Sequence, residues 1–208
     1  MGISKEKANE QKQSENPSET NQVEEEIEDK PSEKSALQLK VAECLQKFYE
    51  LMNDQAQMLG MKRSNFAVAH GMHNENNYST AHDIGKLCCV AMKNSDFRSV
   101  VSVSNHKCPS WVQKGHVYEW ENTNILLKQG YTGIKTGITN TAGPCLAAST
   151  NHNGYHVVVV LLSSCSMDSR WYEVPKLVSW GVKKIDRIRQ SKLRPKVKKK
   201  ILKSITYI

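Results

Sequence analysis

Apolar residues first recur at helical spacing from Leu37. Val41, Cys44, Leu45, Phe48, Leu51, Met52 and Leu59 follow at intervals of three and four, and Gly60 stands where a helix would close. This pattern predicts one amphipathic helix. A second is announced by Thr80-x-x-Asp83, a capping-box-like start, followed by Ile84, Leu87, Cys88, Ala91 and Met92 on one face. Between the two lies a polar loop, Ala69 to Tyr78. Farther on the period changes from helical to extended. Gly133–Ile138, Cys145–Thr150 and His156–Leu162 are short and rich in β-branched or small apolar residues, and Asn153-Gly154 joins the last two as a hairpin turn. From Trp171 to Ile188, Val174, Leu177, Val178, Val182 and Ile185 return to helical spacing, with Pro175 expected to start that helix or bend it. The stretch between the second helix and the first strand shows no regular period and reads as irregular.

Ahead of the first helix the pattern vanishes. Met1 to Lys34 has no aromatic residue and only isolated Ile3, Val23 and Ile27, too little apolar surface to offset the entropy of ordering it. It also lacks the apolar h-region of a signal peptide. The longest apolar run, Val157 to Leu162, falls far short of the roughly 20 residues needed to span a bilayer.

Charge sharpens this division. The 208 residues carry a net charge of +8, unevenly spread. Met1–Ala36 has 5 basic and 10 acidic residues, whereas Val182–Ile208 has 11 basic residues and the single acid Asp186, so the body between them is nearly neutral. The organisation expected is a disordered acidic leader (1–36), a folded segment (37–188) and a basic tail (189–208). Lysines and apolar residues interleave in that tail as in an amphipathic surface helix for anionic membrane or nucleic acid, although Pro195 interrupts the pattern. Six cysteines with no Cys-x-x-Cys spacing read as buried reduced thiols, and adjacent Cys88 and Cys89 cannot both face a core.

The chemistry-bearing motif is Lys135-Thr136-Gly137, the third of three motifs that mark penicillin-binding proteins and class A β-lactamases. Its setting, Gly133 through Ser149, closely resembles the corresponding stretch of the D-alanyl-D-alanine carboxypeptidases. Two other blocks agree in order. Leu51 to Met61, with Asn65-Phe66, His70-Gly71-Met72-His73 and Tyr78-Ser79-Thr80-Ala81-x-Asp83, resembles the segment between that family's second and third motifs, and Ser179-Trp180-Gly181 resembles its final helix. The resemblance covers about Val41 to Lys184. It implies an α/β fold with an antiparallel sheet flanked by helices, β-lactamase/DD-peptidase-like, here as an incomplete domain that should expose core surface.

The resemblance assigns Lys135, Thr136 and Gly137 to the catalytic site. The Lys135 ammonium and Thr136 hydroxyl would grip the carboxylate of a peptide ending in D-alanine, Gly137 would let it lie close, and the Ile138 N–H would supply one oxyanion-hole donor. The family's nucleophile motif, Ser-x-x-Lys, and its Ser-x-Asn have no convincing counterpart. Ser4-Lys5-Glu6-Lys7 lies in the charged leader, Ser104-Asn105-His106-Lys107 falls in the wrong order, and the string nearest the expected Ser-x-Asn, Ser32-Glu33-Lys34, lacks the asparagine. No cofactor is implied. His70 and His73, like His106, Cys108 and His116, read as loop residues, not metal ligands, for want of a ligand spacing.

Three functions therefore stand open: a serine-type D-Ala-D-Ala carboxypeptidase seen as a truncated product, a binding module for carboxylate-ended peptides without chemistry, and a scaffold whose basic tail contacts an anionic surface. A second chain completing the domain accompanies the first two.

Overall fold

The computed structural model describes residues 33–205. The chain divides between Lys40 and Val41 into two compact units, and the described part of the first is the opening of helix α1 alone. In the second unit the elements run α1 (Glu33–Met58, completed there), α2 (Ala81–Ala91), α3 (Ser95–Val101), β1 (Asn105–Pro109), β2 (Val117–Glu121), a 3-10 turn (Ile125–Gln129), β3 (Thr132–Thr139), β4 (Gly143–His152), β5 (Tyr155–Leu161), α4 (Ser169–Gln190) and α5 (Pro195–Ile205). No helix of the described residues is long and apolar enough to cross a membrane.

Helix α1 ends where glycine permits. Gly60 has φ +69°, and the Gly60 and Met61 N–H groups donate to Gln57 and Ala56, satisfying carbonyls the last turn would leave bare. The periodicity that forms α1 does not bury it. Phe48 is 49% and Leu51 60% exposed, and Val41 and Leu45 are exposed too.

β3, β4 and β5 form one antiparallel sheet in that order. The β4–β5 turn is the two-residue hairpin expected, Asn153 and Gly154 both having positive φ as a type I′ turn requires. β4 is central and buried on both faces: Leu146 and Ala148 point one way, Ala147 and Ser149 the other. On the Leu146 face Val174 and Val178 of α4 close the core with Leu126 from the 3-10 turn and Val159 from β5. The spacing of Val174, Val178 and Val182 made α4 predictable, and all three are buried. Pro175 sits inside α4, not at its start.

Gly133 is needed for a steric reason. A Cβ there would lie 2.9 Å from the Val101 carbonyl oxygen and 3.2 Å from Leu127. The opposing atom is backbone, so it yields poorly, and Gly133→Ala is expected to cost about 2 kcal/mol, read as a lowered denaturation midpoint. A midpoint matching the parent would show that α3 is free to retreat from β3.

The structure departs from sequence expectation in several places. The stretch read as irregular holds α3 and the β1–β2 hairpin, whose pairing runs from Asn105↔Glu121 to Pro109↔Val117. Both hairpin strands are largely exposed, so their sequence lacks the apolar alternation by which a half-buried strand is recognised. Pro195 opens α5 instead of interrupting a helix, because the first helical position needs no N–H. Among the six cysteines only Cys88 is buried, while Cys44 and Cys165 are exposed, because the elements that carry them leave those faces uncovered. Residues 1–32 of the acidic leader, with Ser4-Lys5-Glu6-Lys7 and Ser32, lie outside the described residues, while its last four positions, Glu33–Ala36, already belong to α1.

Candidate functional site

Lys135, Thr136, Gly137 and Ile138 occupy consecutive positions on β3, which pairs with β4 on one side only, so its other edge is open among the described residues. The register shifts between Gly133 and Lys135, making Ile134 an extra residue just ahead of the motif. Such a bulge re-aims the residues that follow. Lys135 is exposed, its ammonium donates to the Thr136 carbonyl, and among the described residues no carboxylate lies within ion-pair distance of it. The Thr136 hydroxyl is 2.8 Å from that of Thr123. A Cβ placed on Gly137 would meet nothing within 4 Å, so the strand faces open space there. Ile138 is 58% exposed and lies opposite Pro144, which has no N–H to give to the ladder.

The chemistry this edge offers is anion recognition. An ammonium without a carboxylate partner, a hydroxyl and backbone N–H groups on an open strand edge suit a carboxylate, with charge-assisted bonds from Lys135 and a neutral one from Thr136.

Beneath the strand pair the structure places a residue that no sequence signal singled out. Arg170, in the first turn of α4, is 3% exposed. Its guanidinium donates to the Cys145 carbonyl at 3.0 Å and the Met167 carbonyl at 3.0 Å, and stacks 4.7 Å from the centre of the Trp171 ring. Cys145 is the register partner of Gly137, so Arg170 braces β4 directly across from the motif. A helix-start arginine looks solvated in sequence; only the packing of α4 under β4 buries it.

The far end of β3 is tied to the polar loop. Thr139 Oγ1 accepts from the Ala142 N–H at 3.0 Å, and the Thr141 hydroxyl lies 3.0 Å from His73 Nδ1. His70 Nδ1 accepts from the Met72 N–H at 3.0 Å. Both histidines thus shape the loop, and among the described residues no group of three or more His, Cys, Asp or Glu side chains converges.

Upstream, Asp83 does more than its place in the helix-start motif suggested. Thr80 caps α2 by accepting from the Asp83 N–H at 3.2 Å, but the Asp83 carboxylate turns away from the helix start. It accepts from the Arg63 N–H at 2.8 Å and the Ser64 hydroxyl at 3.1 Å, and pairs with Lys86 at 3.2 Å. Lys86 in turn donates to the Gly60 carbonyl at the end of α1. Burial pushes the Asp83 carboxyl up, but the Arg63 N–H, Lys86, Ser64 and His82 outweigh it and hold it at about 2. Burial, with neighbouring Cys89, pushes the Cys88 thiol up to about 11, so it packs as a small apolar group.

Of the strings weighed against the nucleophile motif, Ser104-Asn105-His106-Lys107 enters β1, and Lys107 forms an exposed ion pair with Glu119 at 2.9 Å. That is not the desolvated amine a general base requires.

Comparison with known proteins agrees with this geometry. A sequence profile of the D-alanyl-D-alanine carboxypeptidase family matches residues 34–166. The D-alanyl-D-alanine carboxypeptidase of Streptomyces sp. (strain K15) is 33% identical over 139 residues, which are 64% of this chain and 48% of that protein. The D-alanyl-D-alanine endopeptidase of Escherichia coli (strain K12) is 29% identical over 136 residues, covering 64% of this chain and 43% of its own length. The crystal structure of the Streptomyces K15 DD-transpeptidase superposes with a TM-score of 0.60 at 34% identity, over 65% of this chain and 54% of that one. The D-alanyl-D-alanine carboxypeptidase DacD from Francisella tularensis, at 23% identity and a TM-score of 0.59, shares the fold. The chain spans about half the length of the curated relatives it matches, or less. With the motif on an open edge of an antiparallel sheet and the matched segments following one another in the family's order, the chain belongs to the D-alanyl-D-alanine carboxypeptidase family.

Proposed function

We propose that this chain is the substrate-gripping half of a serine-type D-Ala-D-Ala carboxypeptidase site, holding the free carboxylate of a D-alanine-ended peptide along β3. The observation that carries this reading is the Lys135 ammonium without a carboxylate partner, next to the open space over Gly137. In this role Lys135 supplies the counter-charge and Thr136 a hydrogen bond. The Ile138 N–H supplies an oxyanion donor, and the carbonyl of Pro144 opposite it accepts from the Ser164 N–H at 2.9 Å instead.

Hydrolysis needs a nucleophile and a base to form and resolve an acyl-enzyme, and neither motif stands at a matching place in these 208 residues. The chain by itself therefore binds without acylating. A second polypeptide, carrying the missing serine and lysine, would cover the exposed stripe of α1. α5, with Lys196, Lys198, Lys199, Lys200 and Lys203 and no acid, supports weak, salt-sensitive contact with an anionic membrane surface.

Two measurements test the reading. Intact mass after incubation with a penicillin is expected to show no adduct; stoichiometric acylation of any serine would overturn the non-catalytic assignment. A tripeptide ending in D-Ala-D-Ala is expected to bind, and Lys135→Ala to weaken it by about ten-fold or more. Equal binding of the C-terminally amidated peptide, or unchanged binding to the variant, would remove the carboxylate grip.

A further inference from the structure

The β1–β2 hairpin carries one face that the strand-edge reading leaves unused. Alternation places Tyr118 and Trp120 on the same side of β2, with His116 just before them, and the register sets Cys108 and His106 opposite. The Tyr118 and Trp120 ring centres are 5.6 Å apart with planes 21° from parallel, and His106 lies 6.0 Å from Trp120 at 19°. Trp120 is 52% and Tyr118 43% exposed. Three rings, with Trp120 about 20° from parallel to each of the other two, thus stand open to solvent.

The chemistry of this face selects its occupant. It contains no aliphatic side chain, so it does not resemble a docking patch for a protein's apolar surface. Asn105–Glu121 holds two lysines and two glutamates, and alternation puts the Lys107–Glu119 pair on the opposite face, so the hairpin is neutral within a chain of net charge +8. A polyanion finds no attraction there. Among the described residues, the Tyr118 hydroxyl and the Trp120 indole N–H have no hydrogen-bond partner, leaving polar atoms at the rim of the aromatic surface. An apolar floor with a rim of donors and acceptors suits an uncharged pyranose, whose C–H face stacks on a ring while its hydroxyl and acetamido groups bond at the edge.

Position adds an independent reason. The hairpin leads directly to Thr123, whose hydroxyl touches that of Thr136, and only Glu121 and Asn122 stand between Trp120 and Thr123, a span of at most about 11 Å. The exit of the hairpin that carries the platform therefore meets the strand that carries Lys135.

We propose that the His106–Tyr118–Trp120 face is a saccharide-binding platform, taking a neutral N-acetylated hexose chain beside the peptide-carboxylate edge of β3. The assignment extends the strand-edge reading but stands on the hairpin's own geometry, and the two are measured separately.

Titration of the full chain with an N-acetylglucosamine tetramer, followed by saturation-transfer NMR on the saccharide, is expected to show saturable binding. Trp120→Ala should weaken it by about ten-fold or more, Trp120→Phe should keep part of it, and Trp180→Ala, on α4, should leave it unchanged. Because Trp120 is half exposed, its replacement leaves the core intact, and Tyr118→Ala provides a second variant on the same face. The absence of saturable binding at millimolar saccharide, or equal affinity of the parent and both hairpin variants, would overturn the platform. So would Trp120-dependent binding of a single-stranded oligonucleotide without saccharide binding. Peptide binding by Lys135→Ala reports only on the strand edge, so failure of either proposal is visible without the other.

Discussion

Asp83→Ala is expected to destabilise the chain by about 3 kcal/mol, because it removes one member of a buried, hydrogen-bonded charge pair and leaves the others unsatisfied. Asp83 is 3% exposed and joins three pieces of the fold: the Arg63–Ser64 loop, Lys86 on α2 and, through Lys86, the end of α1. Without the carboxylate, the Arg63 N–H and the Lys86 ammonium lose partners in a place water reaches poorly. The same network makes stability depend on acid. The folded-state value of about 2 lies below the ordinary 3.8, so the folded chain holds this proton less tightly than the unfolded one. The contribution is fully present above about pH 4 and is lost as pH falls toward 2. Denaturant midpoints measured from pH 6 to pH 2 should therefore fall more steeply for the parent than for Asp83→Asn. Parallel curves would mean that the carboxylate is not the acid-sensitive group.

Leu146→Ala is expected to cost about 3 kcal/mol and to loosen the motif strand as well. Leu146 is 1% exposed, packs in the core closed by Val174 and Val178, and is the register partner of Thr136. The cavity left behind opens under the β3–β4 ladder at the position that holds the hydroxyl in place. Amide hydrogen exchange at Thr136 and Gly137 should accelerate along with the loss of global stability. Unchanged protection there would show that Arg170 and the Thr123 contact hold β3 without the core.

The elements legible in sequence are those whose pattern matches their burial. α4 shows it in Val174, Val178 and Val182; the β4–β5 hairpin shows it in Asn153-Gly154 between two β-branched runs; α2 shows it in Thr80 ahead of its apolar face. The β1–β2 hairpin is not legible in sequence because its exposed strands, above all β2, alternate aromatic with charged residues instead of apolar with polar ones. α1 is legible as an amphipathic helix, yet its stripe is exposed, since periodicity specifies a helix and its apolar side but not what covers that side.

For the candidate site, sequence alone determined the residue types. Lys135-Thr136-Gly137 and the blocks around it carry the family signature, and they set an ammonium, a hydroxyl and a residue without a side chain in adjacent positions. Tertiary structure decided the rest. It put those residues on an open strand edge after a bulge, set Thr123 against Thr136, buried Arg170 behind Cys145 and stacked His106, Tyr118 and Trp120 on one face of the β1–β2 hairpin. Each of these contacts joins residues that are separated in sequence, or depends on which face of an element meets another. A local pattern of side chains fixes period and turn chemistry, but the partner across the gap is chosen only when the chain packs.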